Sequence, residues 1–174
     1  MTAYEKWNKY MSIAVYPGSF DPVTLGHLNI IRRASRVFDK LYVCVMSDFE
    51  KFPLFSYEER VELLSRTTEK YPNVIVETSK DLLVEYTKSK NAKIIIKGMR
   101  AVSDYDRELQ LSLINKKLDS SIETLLMPAN EKYTYISSTV VKEMAKYGAD
   151  LSTFVPREII DDVVAKVKER GWRL

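Results

Sequence analysis

One cysteine, one histidine and five glycines in 174 residues leave little room for several common chemistries. Cys44 alone excludes an internal disulfide and a Cys-based zinc site. Lying in the apolar run 41–46, it reads as a small core residue of a strand. No stretch approaches the roughly 20 apolar residues of a membrane span. Residues 1–10 lack the apolar core of a signal peptide. The expectation is a cytoplasmic protein with no membrane partner. A net charge of +3 is too mild to argue for nucleic acid. A phosphate-rich small molecule, by contrast, needs only a local cluster of cations.

What is present is an ordinary globular chain. At this length one domain buries roughly 70% of its unfolded surface and needs neither disulfide nor structural metal. No repeat, low-complexity tract or linker interrupts it. Residues 12–174 are therefore read as a single domain, and residues 1–11 as an extension or expression remnant outside the fold.

Short β-branched runs alternate with helical patterns. Strands are expected at 12–15, 41–46, 73–77, 93–96 and 123–127. Helices are expected at 28–38, 56–69, from 82, 104–118, 138–146 and 156–170. The 56–69 helix opens with a capping box, Ser56 to Glu59. Gly148 ends the 138–146 helix and Pro156 opens the last one. This alternation predicts an α/β fold, a doubly wound five-stranded parallel sheet with an extra C-terminal helix. Ligands of such sheets bind beyond the carboxyl ends of the strands, where strand order reverses.

The most informative stretch follows the first strand: Tyr16-Pro17-Gly18-Ser19-Phe20-Asp21-Pro22-Val23-Thr24-Leu25-Gly26-His27. It sets a glycine-containing loop and the only histidine at the start of a helix. Helix N-termini attract anions through unpaired N–H groups and a positive dipole end. His27 is a cation for a phosphate site, or an ordinary polar residue near a helix start. Asp21 is close by, but Asp-Pro is first a turn signal. Lys97 and Arg100, just beyond the fourth strand, can grip two different phosphates. Lys51, in the loop after the second strand, is a solvated lysine on position alone. Ser137, Ser138 and Thr139 sit at a helix start, where N-capping is their commonest use.

Three blocks carry a resemblance: Tyr16 to Pro22 with Thr24-Leu25-Gly26-His27, then Lys97-Gly98-Met99-Arg100-Ala101-Val102-Ser103-Asp104, then Ile136-Ser137-Ser138-Thr139. In order and spacing, from about residue 13 to about residue 155, they resemble the bacterial phosphopantetheine adenylyltransferases, members of the T-x-G-H nucleotidyltransferase superfamily. Met11 sits where members of that family usually begin. The resemblance implies a Rossmann-like nucleotidyltransferase fold. It also implies adenylyl transfer from ATP to 4′-phosphopantetheine, giving dephospho-coenzyme A and pyrophosphate, with Mg²⁺ accompanying ATP. A homohexamer and feedback inhibition by coenzyme A are implied as well.

The resemblance makes His27 and Lys51 catalytic, His27 at the α-phosphate through a hydrogen bond or a full positive charge. ATP would meet Gly18, Ser19, Phe20, His27, Arg100, Glu108, Tyr133, Ser137, Ser138 and Thr139. The acceptor would meet Ser19, Lys51, Leu82, Leu83, Lys97 and Asn115. Tyr133 and Tyr135 either wall the nucleotide pocket or pack against the sheet, and the leucines either line the pantetheine arm or belong to the core. No carboxylate cluster looks like a dedicated metal cage. Two positions depart from the family pattern. Lys97 stands where arginine is usual, which keeps the charge but loses the bidentate fork. Phe52 stands where a second lysine is common.

Two other readings compete. One is a T-x-G-H nucleotidyltransferase acting on nicotinate mononucleotide or a sugar- or glycerol-type phosphate. The other is a module that senses adenine nucleotide or coenzyme A without turnover.

Overall fold

A computed structural model describes residues 12–46 and 53–172. Five strands alternate with helices: β1 (Ile13–Gly18), α1 (Leu25–Ala34), β2 (Lys40–Met46), α2 (Tyr57–Thr68), β3 (Val74–Ser79), α3 (Leu83–Ser89), β4 (Ile94–Met99), α4 (Val102–Leu118), β5 (Glu123–Pro128), α5 (Ser138–Lys146) and α6 (Ile160–Glu169). Single 3-10 turns at Glu131–Tyr133 and Arg157–Ile159 precede α5 and α6. All strand pairs are parallel, in the order β3-β2-β1-β4-β5. The chain order reverses between β1 and β4, which puts the switch point at the middle of the sheet.

Alternating side chains divide the strands between two cores. Ala14, Tyr16, Leu41, Val43, Val45 and Ile96 belong to the larger one, with Ile30 and Ile31 of α1, Leu63 and Leu64 of α2, Val141 of α5 and Val163 of α6. Val15, Cys44 and Ile95 belong to the other face, with Val84 and Tyr86 of α3. Each fully buried aliphatic of this kind contributes about 1.5–3 kcal/mol. Cys44 is a buried free thiol, and burial raises its pKa to about 11. The expected core role of that residue is the observed one.

The expected elements all form, with shifted edges. β1 runs on to Gly18 and includes Pro17. That proline lies past Val15↔Ile95, the last β1–β4 partner pair, and a missing N–H is tolerated where a ladder has stopped. α1 starts at Leu25, three residues before the expected start, because Thr24 caps it. α4 starts at Val102 rather than Asp104. Gly148 ends α5 at φ +71°, a conformation that costs glycine little. Pro156 precedes a 3-10 turn that leads into α6.

Candidate active site

β1 delivers the glycine loop to the switch point. A Cβ on Gly18 would fall 2.9 Å from the Phe20 ring, so only glycine lets that ring fold back. Phe20, at φ +48° and 1% exposed, packs edge-on to both Tyr16 and His27. Thr24 then caps α1 in an unusual capping box. Its hydroxyl accepts the His27 N–H at 3.2 Å, and its own N–H donates to His27 Nδ1 at 3.1 Å. Histidine stands where glutamate normally closes the box.

That contact sets the chemistry of the imidazole. Nδ1 is an acceptor, so the neutral ring carries its proton on Nε2. Burial first, then the positive charge of Arg100, lowers the pKa from 6.5 to about 4. In the unliganded cleft the ring is thus neutral at pH 7 and offers its Nε2–H as a hydrogen-bond donor. Leu25 N–H donates to Phe154 O at 2.9 Å, whereas Gly26 N–H has no acceptor among the described residues.

A cleft of about 550 Å³ opens here. Tyr16, Gly18, Ser19 and Phe20 line it from β1 and its loop, and Gly26 and His27 from the start of α1. Lys97 and Arg100 enter from the end of β4, and Ser137, Ser138 and Thr139 from the start of α5. The opposite wall is α4, through Asp104, Arg107 and Glu108. Arg100 is held by Asp104, at 3.2 Å from Nε, and by the Ile136 carbonyl, 3.2 Å from Nη1. Partial burial opposes ionisation of Asp104, but the hydrogen bonds and charge of Arg100 leave its carboxyl below its ordinary range. Lys97 Nζ lies 3.2 Å from Glu108 Oε2. Burial, partly offset by Arg100, raises the Tyr16 phenol well above its ordinary value.

Ser137 is the N-cap of α5, accepting Val140 N–H at 3.1 Å. Ser138 spends its hydroxyl proton on the Pro22 carbonyl at 2.8 Å, tying α5 to the first loop. Ten candidate residues therefore share one cleft: Gly18, Ser19, Phe20, His27, Lys97, Arg100, Glu108, Ser137, Ser138 and Thr139. Four others lie apart from its lining. Tyr133 packs against the larger core from its 3-10 turn. Leu82 is 55% exposed at the start of α3, while Leu83 packs on the smaller clusters. Asn115 is buried, and its Nδ2 has no partner among the described residues. Lys51 lies outside the described residues.

Sequence reasoning missed Asp104 and Arg107. The spacing of Arg107 and Glu108 from Asp104 was the available signal, since positions i, i+3 and i+4 share one helix face. It also took Asp21 for turn chemistry. The Asp21 carboxylate is 1% exposed and accepts the N–H groups of Leu54 and Phe55 at 2.9 and 2.8 Å.

Residues 15–144 match the cytidylyltransferase-like family model. A phosphopantetheine adenylyltransferase from Clostridium novyi (strain NT) is 52% identical over 157 residues, 90% of this chain and 98% of that one. Its counterpart from Caldanaerobacter subterraneus subsp. tengcongensis is 50% identical, over 91% and 99% of the two chains. In three dimensions the chain is similar to a nicotinic acid mononucleotide adenylyltransferase from Plasmodium falciparum, with a TM-score of 0.64 over 93% of this chain and 97% of that one. At 14% identity that likeness speaks for the fold alone. The chain belongs to the cytidylyltransferase-like family and, within it, to the phosphopantetheine adenylyltransferases.

Proposed function

We propose that this protein transfers the adenylyl group of ATP to 4′-phosphopantetheine, forming dephospho-coenzyme A and pyrophosphate. The observation that carries it is the convergence, in one cleft, of a neutral imidazole, the cations Lys97 and Arg100 and two helix N-termini. An oxygen of the acceptor phosphate attacks the α-phosphorus of ATP in line. The new P–O bond forms as the bond to the β-phosphate oxygen breaks. Negative charge gathers on the non-bridging and leaving oxygens, so rate comes from positioned donors and cations. His27 Nε2–H donates to the α-phosphate. Arg100 and the start of α5 hold the β- and γ-phosphates, and Lys97 and Ser19 hold the acceptor phosphate. Lys51 joins them there by its place in the family pattern. Asn115 offers the pantetheine arm a buried amide N–H that is unpartnered among the described residues.

Mg²⁺ brought by ATP would be held by substrate phosphates and water, and would offset the charge on the leaving pyrophosphate. The two carboxylates of the cleft, Asp104 and Glu108, are already paired with Arg100 and Lys97. No helix among the described residues is long and apolar enough to cross a membrane, and a cytoplasmic location suits these water-soluble substrates. Apolar side chains open on α4 and β5, Leu109, Leu113, Ile114, Leu118 and Leu125, support self-association, and the family resemblance makes the proposed assembly a homohexamer. Sedimentation equilibrium should then give six times the 20.2 kDa chain mass.

Incubation with MgATP and 4′-phosphopantetheine should release pyrophosphate and dephospho-coenzyme A. Faster release with nicotinate mononucleotide or glycerol phosphate as acceptor would replace this reading with another nucleotidyl transfer. Tight nucleotide binding without pyrophosphate would leave a sensor.

A further inference from the structure

Behind the cleft, and outside its lining, lies a buried ionic node. Asp21 is 1% exposed, Arg60 4% and Lys142 14%. Arg60 Nε donates to the Phe55 carbonyl at 2.9 Å and lies 3.4 Å from Asp21 Oδ1. Its Nη1 donates to the Ser19 carbonyl at 3.2 Å. Lys142, one turn into α5, reaches Asp21 Oδ2 at 3.1 Å. Asp21 itself holds the Leu54 and Phe55 N–H groups.

Arg60 and Asp21 bond main-chain groups of two segments, and Lys142 joins α5 to them through the Asp21 side chain. Ser19 belongs to the glycine loop, and Leu54 and Phe55 to the segment before α2. Lys142 sits on the helix whose first turn carries Ser138 and Thr139. A buried ion pair is weak support for stability, because its desolvation cost offsets its attraction. Its directional bonds, however, fix the relative placement of whatever they join. We propose that Arg60 and Lys142 are positioning residues, which set Ser19 and the first turn of α5 in register for adenylyl transfer without touching either substrate. This rests on the reaction proposed above.

The test compares Arg60→Lys, Lys142→Met and Lys142→Arg with Leu64→Ala, a core substitution one turn along α2 that perturbs packing alone. All are assayed well below their unfolding midpoints. Arg60→Lys keeps the charge but loses the fork. It should lower kcat/KM for 4′-phosphopantetheine by about tenfold more than Leu64→Ala does. Lys142→Met should show a similar loss, and Lys142→Arg should restore most of it. Losses no larger than those of Leu64→Ala, or no rescue by Lys142→Arg, would overturn the inference while leaving the reaction intact. If Arg60→Lys does not fold, the Lys142 pair decides alone. A wild-type protein that releases no pyrophosphate removes both readings.

Discussion

The backbone N–H of Thr24 donates to Nδ1 of His27 at 3.1 Å, so one contact both starts a helix and chooses a tautomer. A structural job and the proposed chemical job share the same ring. They can be separated, because glutamine is also an ordinary partner in a capping box. His27→Gln should keep the fold and the melting behaviour at pH 7. Its kcat should fall about a thousandfold, or about 4 kcal/mol of barrier, with the KM for ATP little changed. Steady-state kinetics beside circular dichroism checks both halves. A kcat within a few-fold of wild type would leave His27 with the structural role alone.

Acid should weaken the folded protein through the same residue. With a folded pKa of about 4 against 6.5, the unfolded chain binds a proton that the folded one refuses. The contribution is fully present above about pH 6.5 and is lost as pH falls toward 4, at most about 3 kcal/mol. Urea unfolding at pH 7 and pH 4.5 should show a drop in wild type that is smaller, by that share, in His27→Gln. Equal drops would mean that the imidazole titrates alike in both states.

Lys97 and Glu108 form a pair in which each side chain is 18% exposed. An arginine at 97 could retain Glu108 with one nitrogen and offer another to a phosphate. Lys97→Arg should leave the KM for 4′-phosphopantetheine equal or lower, and the KM for ATP unmoved. A clear rise for the acceptor alone would sink the assignment of Lys97 to its phosphate.

Gly18→Ala should destabilise by about 1–3 kcal/mol, since the new methyl meets a Phe20 ring that is only 1% exposed. Thermal unfolding measures it. An unchanged midpoint would mean that the ring has somewhere else to go.

Much of the fold was legible because apolar periodicity changes sharply between strand and helix. Ile94, Ile95 and Ile96 announce a strand covered on both faces, and Ser56 with Glu59 announces a helix start. The beginning of α1 was not legible, because a capping box closed by histidine carries no standard signature. The role of Asp21 was hidden for another reason: its partners lie 33 to 121 positions away in the chain. Arg107 was overlooked although helical spacing places it, three residues on, on the same face as Asp104. Tyr133 offered no clue between walling a pocket and packing, and the 3-10 turn that carries it is too short to leave a pattern.

The chain contains a single imidazole, and it stands in the wall of the cleft. In a proton NMR spectrum its ring signals need no assignment, so one pair of resonances watches the cleft directly. Titrating nucleotide, acceptor or inhibitor against that built-in probe would follow occupancy of the site in unlabelled protein.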